Sequence, residues 1–199
     1  MVEYVDAVIL DIQRSVVAGM PVADTVFFGG GTPTRLVPEL ITKIVAAIPM
    51  SPDAEVTVEC NPDDVTPELM QVYAAGGVNR VSIGVQAMVG HVLASLGRTH
   101  DPSNVEKAVH AAREAGITSI NLDLIYGVHG ESLEDWQSTL TAAIALAPTH
   151  VSAYGLTVEA GTPLADDPAR HPDDDDQADK YIMTCLLYTS DAADDSLRV

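Results

Sequence analysis

A strand-then-helix rhythm runs through most of this chain and leaves few folds open to it. β-Rich segments at 25–28, 55–59, 80–84, 119–124 and 150–154 alternate with helical patterns at 39–48, 67–75, 91–96, 105–115 and 133–147. A further helix at 3–18 precedes the first strand. The punctuation agrees: Thr66-Pro67-Glu68 reads as an N-cap with Pro at the first helical position, and Gly76-Gly77, Gly97 and Gly116 stand where helices end in a left-handed residue. Strands joined by crossovers of this length run parallel. Their centres, near residues 26, 57, 82, 121 and 152, lie 25–39 apart. An eight-unit barrel takes roughly 250 residues, about 31 per unit. The stretch 1–163 therefore holds about five β/α units, as a doubly wound sheet or an incomplete barrel.

Side-chain alternation favours the barrel. Val56 and Val58 share one face of their strand, Thr57 and Glu59 the other. Likewise Val81, Ile83 and Val85 oppose Ser82, Gly84 and Gln86, while Ile120, Leu122 and Leu124 oppose Asn121 and Asp123. In the last strand Val151 and Ala153 oppose Ser152 and Tyr154. A packed barrel interior is Val, Ile and Leu. A polar common face predicts a lumen that holds a polar ligand.

Ligands of parallel α/β folds bind at the C-terminal ends of the strands. Those ends read Gly29-Gly30-Gly31-Thr32-Pro33, Glu59-Cys60-Asn61-Pro62, Gly84-Val85-Gln86, Asp123-Leu124-Ile125-Tyr126-Gly127 and Tyr154-Gly155-Leu156-Thr157. Three glycines after a strand make a tight turn, or leave backbone N–H groups bare to approach a carboxylate or amine. The run is neither a dinucleotide fingerprint nor a P-loop, because no Gly-Lys-Ser/Thr follows. Glu59 and Asp123, predicted to face inward, need cationic or hydrogen-bonding partners. Either they pair internally with Arg98 or Arg80, or Glu59 takes an ammonium group and Asp123 takes ribose hydroxyls.

Composition narrows the function classes. The chain is 47% hydrophobic, enough to bury a core and exclude global disorder. Its net charge of −19 argues against a nucleic-acid partner, which needs clustered Lys and Arg. Part of that charge sits in residues 164–199, where the run Asp173–Asp176 reads as a solvated loop. No apolar run approaches the roughly 20 residues of a membrane span. Acidic Glu3 and Asp6, where a signal peptide would be basic, predict a cytoplasmic protein. Two cysteines, Cys60 and Cys185, cannot build a disulfide framework or an iron–sulfur site. Cys60 reads as a small buried strand residue. No histidine pair has the i, i+4 spacing of a zinc site, so neither a metal ligand nor a catalytic residue is assigned. His100 is a candidate contact to a ligand carboxylate, against the alternative of a surface-loop histidine.

Several of these motifs occur together in one known order. Gly29–Pro33, Glu59–Pro62, Val81–Gln86, Gly97–His100 and Asn121–Gly127 make the chain resemble the radical S-adenosylmethionine proteins of the oxygen-independent coproporphyrinogen III oxidase group, over roughly residues 3–184. Asn61-Pro62, Arg98-x-His100 and the stretch Glu159–Pro163 are similar to the heme chaperone branch of that group rather than to the oxidases.

The resemblance implies an α/β fold, a partial parallel (β/α) barrel of the radical-SAM type, with S-adenosylmethionine at its C-terminal mouth. By position, Gly30, Gly31 and Thr32 contact the methionyl end, and Glu59, Gln86, Arg98, Asp123 and Thr157 line the cofactor pocket. Heme or a porphyrinogen is the implied cargo or substrate, with heme-accepting proteins as partners. The family holds a [4Fe-4S] cluster on a Cys-x-x-x-Cys-x-x-Cys loop just before the helix at 3–18. The chain is therefore expected to lack its first strand and cluster loop, and the family's C-terminal domain. Residues 1–163 form the barrel portion, 164–184 an acidic linker and the start of a helix, and 185–199 a non-native tail. Three functions follow from different classes: a heme chaperone portion, an oxidase that decarboxylates porphyrinogen propionates, and an inert truncated frame whose unpaired sheet edge aggregates.

Overall fold

The computed structural model describes residues 1–195, with side chains described through Leu187. Helix α1 (Val2–Val17) precedes strand β1 (Ala23–Phe28), followed by α2 (Pro38–Val45), β2 (Met50–Cys60), α3 (Pro67–Ala75) and β3 (Arg80–Gln86). Then come α4 (Gly90–Ser95), α5 (Ser103–Glu114), β4 (Ser119–Tyr126), α6 (Leu133–Ala145), β5 (His150–Gly155) and α7 (Asp174–Asp195). The strands form one sheet in the order β1-β2-β3-β4-β5, and β1/β2 and β2/β3 pair in parallel. A doubly wound sheet reverses its order at a switch point. Strict sequential order does not, so the incomplete barrel is the architecture adopted.

Local chemistry accounts for the element ends. Thr66 Oγ1 accepts from Leu69 N at 3.2 Å, capping α3 at the predicted residue. Ser132 and Asp135 form a capping box on α6. Gly77, Gly97 and Gly116 have positive φ, as read from the sequence. Gly76 does not; a Cβ there would run into the Thr42 side chain of α2, so its role is close helix approach. Strand β2 begins well before the predicted residue 55. Ala23 pairs with Met50 but Thr25 with Glu55, so Ser51–Ala54 bulge, and a bulge tolerates Pro52 in a segment that reads as a turn.

The chain divides into two compact units. The first comprises Met1–Gly84, Ser103–Leu122 and Pro148–His150. Its core holds Val56 and Val58 of β2, Val81 and Ile83 of β3, and Met70, Tyr73 and Val109 of the helices, all buried. The second comprises Val85–Pro102, Asp123–Ala147 and the chain from Val151. Here Ala87, Val92, Leu93 and Val128 form a buried cluster, and Trp136 is fully buried with its ring centroid 5.2 Å from that of Tyr126.

The aspartate run is not the predicted solvated loop. Asp174, Asp175 and Asp176 form the first turn of α7, and Asp173 Oδ1 accepts from Asp176 N at 2.9 Å. Carboxylates at a helix N-terminus meet the positive end of its dipole, which is why an acidic run starts a helix here. Residues 188–199, most of the expected tail, lie outside the described side chains.

Candidate functional site

In the first unit the loop after β1 carries the glycine run. Gly30 and Gly31 have φ of +75° and +61°, conformations that L side chains resist. Gly29 serves differently: a Cβ there would lie 2.5 Å from the Phe27 ring and 3.1 Å from the Glu59 carboxyl carbon. That close approach lets Glu59, half-buried at the end of β2, reach over the turn, where its Oε2 accepts from Gly30 N at 3.1 Å. The Gly30 amide is therefore not bare as predicted; it holds the Glu59 carboxylate in place. Thr32, half-buried, follows the turn. Thr34 Oγ1 donates to Asp64 Oδ2 at 2.8 Å, and Asn61 Oδ1 accepts from Asp63 N at 3.0 Å, fixing the loop after β2.

The polar strand face is layered. Its lower residues Thr57, Ser82 and Asn121 are buried, and Asn121 Nδ2 donates to Ser82 Oγ at 2.8 Å. The lower layer thus has hydrogen-bond partners within the protein: Asn121 with Ser82, and Thr57 with Glu55 and Arg80. Nearer the C-terminal ends, Glu59, Gly84, Gln86 and Asp123 are only half-buried. Arg80 is directed to Glu55, at 3.8 Å, and Thr57, at 3.4 Å. The internal pairing of Glu59 with Arg80 is not formed.

In the second unit Gln86 closes β3 with φ of +64°, a sparsely populated region for a residue with a side chain. His100 sustains it. That imidazole is 8% exposed, and its Nε2 donates to Val85 O at 3.0 Å. His100 is thus neither a surface-loop histidine nor a free ligand contact. The adjacent Arg98 side chain is exposed and makes no ion pair among the described residues. Thr157 is exposed beyond β5, its Oγ1 donating to Gly155 O at 3.4 Å. A cavity of about 540 Å³, lined by Gly97, Val128, Leu156, Thr157, Glu159 and Arg170 among others, opens in this unit. That is the size of a small-molecule site.

Lys180, Glu131, Gln177 and Trp136 were not singled out from the sequence, yet they build a largely buried polar network in this unit. The Lys180 and Glu131 side chains are both fully buried and 3.2 Å apart. Burial pushes the Glu131 carboxyl above its ordinary value, while Lys180 and the Gly127 amide pull it back. The available signal was Lys180 itself, one base within an acidic stretch and four residues after Asp176.

Residues 2–143 match the radical SAM superfamily. The chain belongs to the radical SAM superfamily. It is 41% identical over 171 residues to the heme chaperone HemW of Mycobacterium tuberculosis, covering 82% of this chain and 44% of that protein. With the HemW of Escherichia coli it shares 39% identity over 193 residues, covering 94% and 51% respectively. Among solved structures it is similar to the coproporphyrinogen III oxidase HemN of Escherichia coli, a radical SAM enzyme, at a TM-score of 0.84 and 28% identity. That match covers 94% of this chain and 45% of HemN. The chain spans about half the length of these relatives. Five parallel strands in an α/β fold are what the sequence rhythm predicted, and the radical SAM type of that fold is what the family resemblance implied.

Radical SAM proteins use S-adenosylmethionine and a [4Fe-4S] cluster. The first unit offers a glycine turn and a half-buried carboxylate at a strand end, and the second a half-buried carboxylate and a Gln of left-handed backbone, side-chain chemistry that suits the amino-acid and ribose groups of S-adenosylmethionine. The cysteines do not fit the cluster. Cys60 is 3% exposed, its Sγ donates to Val58 O at 3.6 Å, and burial with Asp64 and Glu59 nearby drives its pKa strongly upward. So enclosed a thiol, bonded to a backbone carbonyl, is not presented to an iron atom. Among the described residues, no group of three His, Cys, Asp or Glu side chains is arranged to hold a metal.

Proposed function

We propose that this chain is the S-adenosylmethionine-binding portion of a heme chaperone-like radical SAM protein. The observation that carries the reading is the Glu59–Gly30 contact, which presents a carboxylate over a glycine turn at the end of a parallel strand. In this reading Glu59 takes the ammonium of the methionyl end, while Gly31 and Thr32 offer backbone groups to its carboxylate. Arg98 supplies a cation for the same carboxylate, Asp123 accepts from the ribose hydroxyls, and Gln86 and Thr157 complete the polar contacts. Bound at these residues, the cofactor would supply radical chemistry. The residues of this chain bind it and orient it.

The cargo is heme, or a porphyrinogen in the oxidase alternative. Higher identity to the HemW chaperones than to HemN supports heme, as do Asn61-Pro62 and Arg98-x-His100. Heme-accepting proteins are the corresponding partners, and the cytoplasm the corresponding compartment. Among the described residues no helix is long and apolar enough to cross a membrane.

Thermal unfolding with and without S-adenosylmethionine tests the cofactor reading through linkage. The melting temperature rises for the wild-type chain, and Glu59→Ala or Asp123→Ala abolishes the rise. An unshifted wild-type transition, or an equal rise in both variants, would overturn it.

A further inference from the structure

Helix α7 presents one polar face to two loops of the second unit. Lys180 Nζ donates to Glu131 O at 2.8 Å and pairs with Glu131 Oε2 and with Asp176 Oδ2, the latter at 2.6 Å. The ammonium thus donates two hydrogen bonds, to Glu131 O and Asp176 Oδ2, and lies 3.2 Å from Glu131 Oε2 as an ion pair. Glu131 Oε2 in turn accepts from Gly127 N at 2.8 Å and Val128 N at 3.3 Å. The chain leaving β4 is therefore turned by a carboxylate that a buried lysine holds in place. One turn earlier on the helix, Gln177 Nε2 donates to Leu156 O at 2.9 Å. Gly127 has φ of +80°, and a Cβ there would lie 2.5 Å from the Gln177 side chain, so a side chain at this position would be strained and would displace Gln177. Leu156 N donates to Tyr126 O at 2.8 Å, tying the two strand exits to each other. Trp136 Nε1 anchors the helix from below, donating to Lys180 O at 3.1 Å and Thr184 Oγ1 at 3.0 Å.

The loops held this way carry Val128, His129, Leu156 and Thr157, all of which border the 540 Å³ cavity. Asp123 stands on β4 just before the first of them. We propose that Lys180 and Gln177 are positioning residues: they hold the exits of β4 and β5 in the geometry that receives the nucleoside part of S-adenosylmethionine. The inference rests on the cofactor reading above, and it makes α7 part of the binding apparatus rather than a linker.

Amide hydrogen exchange and cofactor titration on the full chain separate the two claims. Gln177→Met keeps the side-chain bulk and removes the donor. Losing one such hydrogen bond is expected to speed exchange at Leu156 and weaken S-adenosylmethionine binding, each by about fivefold, while the cofactor-free melting temperature stays near wild type. Lys180→Met is expected to speed exchange at Gly127 and Val128 and to weaken cofactor binding, with a loss of stability that adding Glu131→Gln restores, because the amide still accepts from Gly127 N. Unchanged exchange in Gln177→Met would overturn the clamp. Faster exchange with unchanged cofactor affinity would overturn the positioning role. A wild-type chain that protects these amides but binds no S-adenosylmethionine would overturn the cofactor reading and leave the clamp standing.

Discussion

Replacing Lys180 by Met isolates the electrostatic cost of the buried network. Both side chains of the Lys180–Glu131 pair have 0% exposure, whereas Asp176 is 40% exposed and can turn to solvent. Glu131 Oε1 already has no hydrogen-bond partner among the described residues. Removing the ammonium leaves a buried carboxylate compensated only by the Gly127 and Val128 amides. Breaking a buried pair in this way costs about 3–5 kcal/mol, which for a chain of this size lowers the melting temperature by roughly 6–20 °C. The pH dependence follows from the carboxyl. Its pKa in the folded chain is raised, and without Lys180 it rises further. A raised folded-state value favours the folded form below the unfolded carboxyl pKa of about 4.3, and that advantage is lost as pH rises through the folded value. The deficit of Lys180→Met against wild type therefore shrinks on going from pH 8 to pH 5, and Glu131→Gln in the same chain abolishes most of it. Circular dichroism melts across that range measure both effects. A deficit that is independent of pH, or that survives Glu131→Gln, would refute the electrostatic account.

Four further outcomes follow from the same structure. Gly30→Ala meets open space but must hold φ of +75°, so it loses about 1–2 kcal/mol in urea unfolding; a stability equal to wild type would contradict the left-handed turn. Gly29→Ala collides instead with Phe27 and Glu59, and it is expected to reduce the S-adenosylmethionine-induced melting shift, with an unaltered shift counting against the close approach. Native thiol titration with a disulfide reagent at pH 8 should count one fast group, the exposed Cys185, with Cys60 reacting only after denaturation; two fast thiols would show that Cys60 is not buried. Trp136, the single tryptophan, should emit at short wavelength and resist iodide quenching, and a red, quenchable emission would place α7 off its site.

Much of the fold is legible because its signals are local and periodic. Thr66-Pro67 marks the start of α3, and alternation in β2, β3 and β4 identifies the face that becomes polar. The bulge at Ser51–Ala54 was hidden because Pro52 and Asp53 read as a turn wherever the partner strand is unknown. Glu59 and Asp123 could be named from strand alternation, and Gln86 as a pocket residue only through the family resemblance. What Glu59 touches could not, because the Gly30 contact joins residues 29 apart. Lys180 is the clearest omission. Its burial depends on Glu131, 49 residues away, and an acidic stretch with one lysine carries the same local pattern whether it is solvated or docked.

The central claim, that the strand ends of this fold bind S-adenosylmethionine, is tested most directly by mapping amide chemical shifts of the ¹⁵N-labelled chain during titration with the cofactor. Saturable shifts are expected at Gly30, Gly31 and Thr32, at Gln86 and Asp123, and at Thr157, and Glu59→Ala should remove them. Shifts confined to other surfaces, or none at saturating cofactor, would contradict the account.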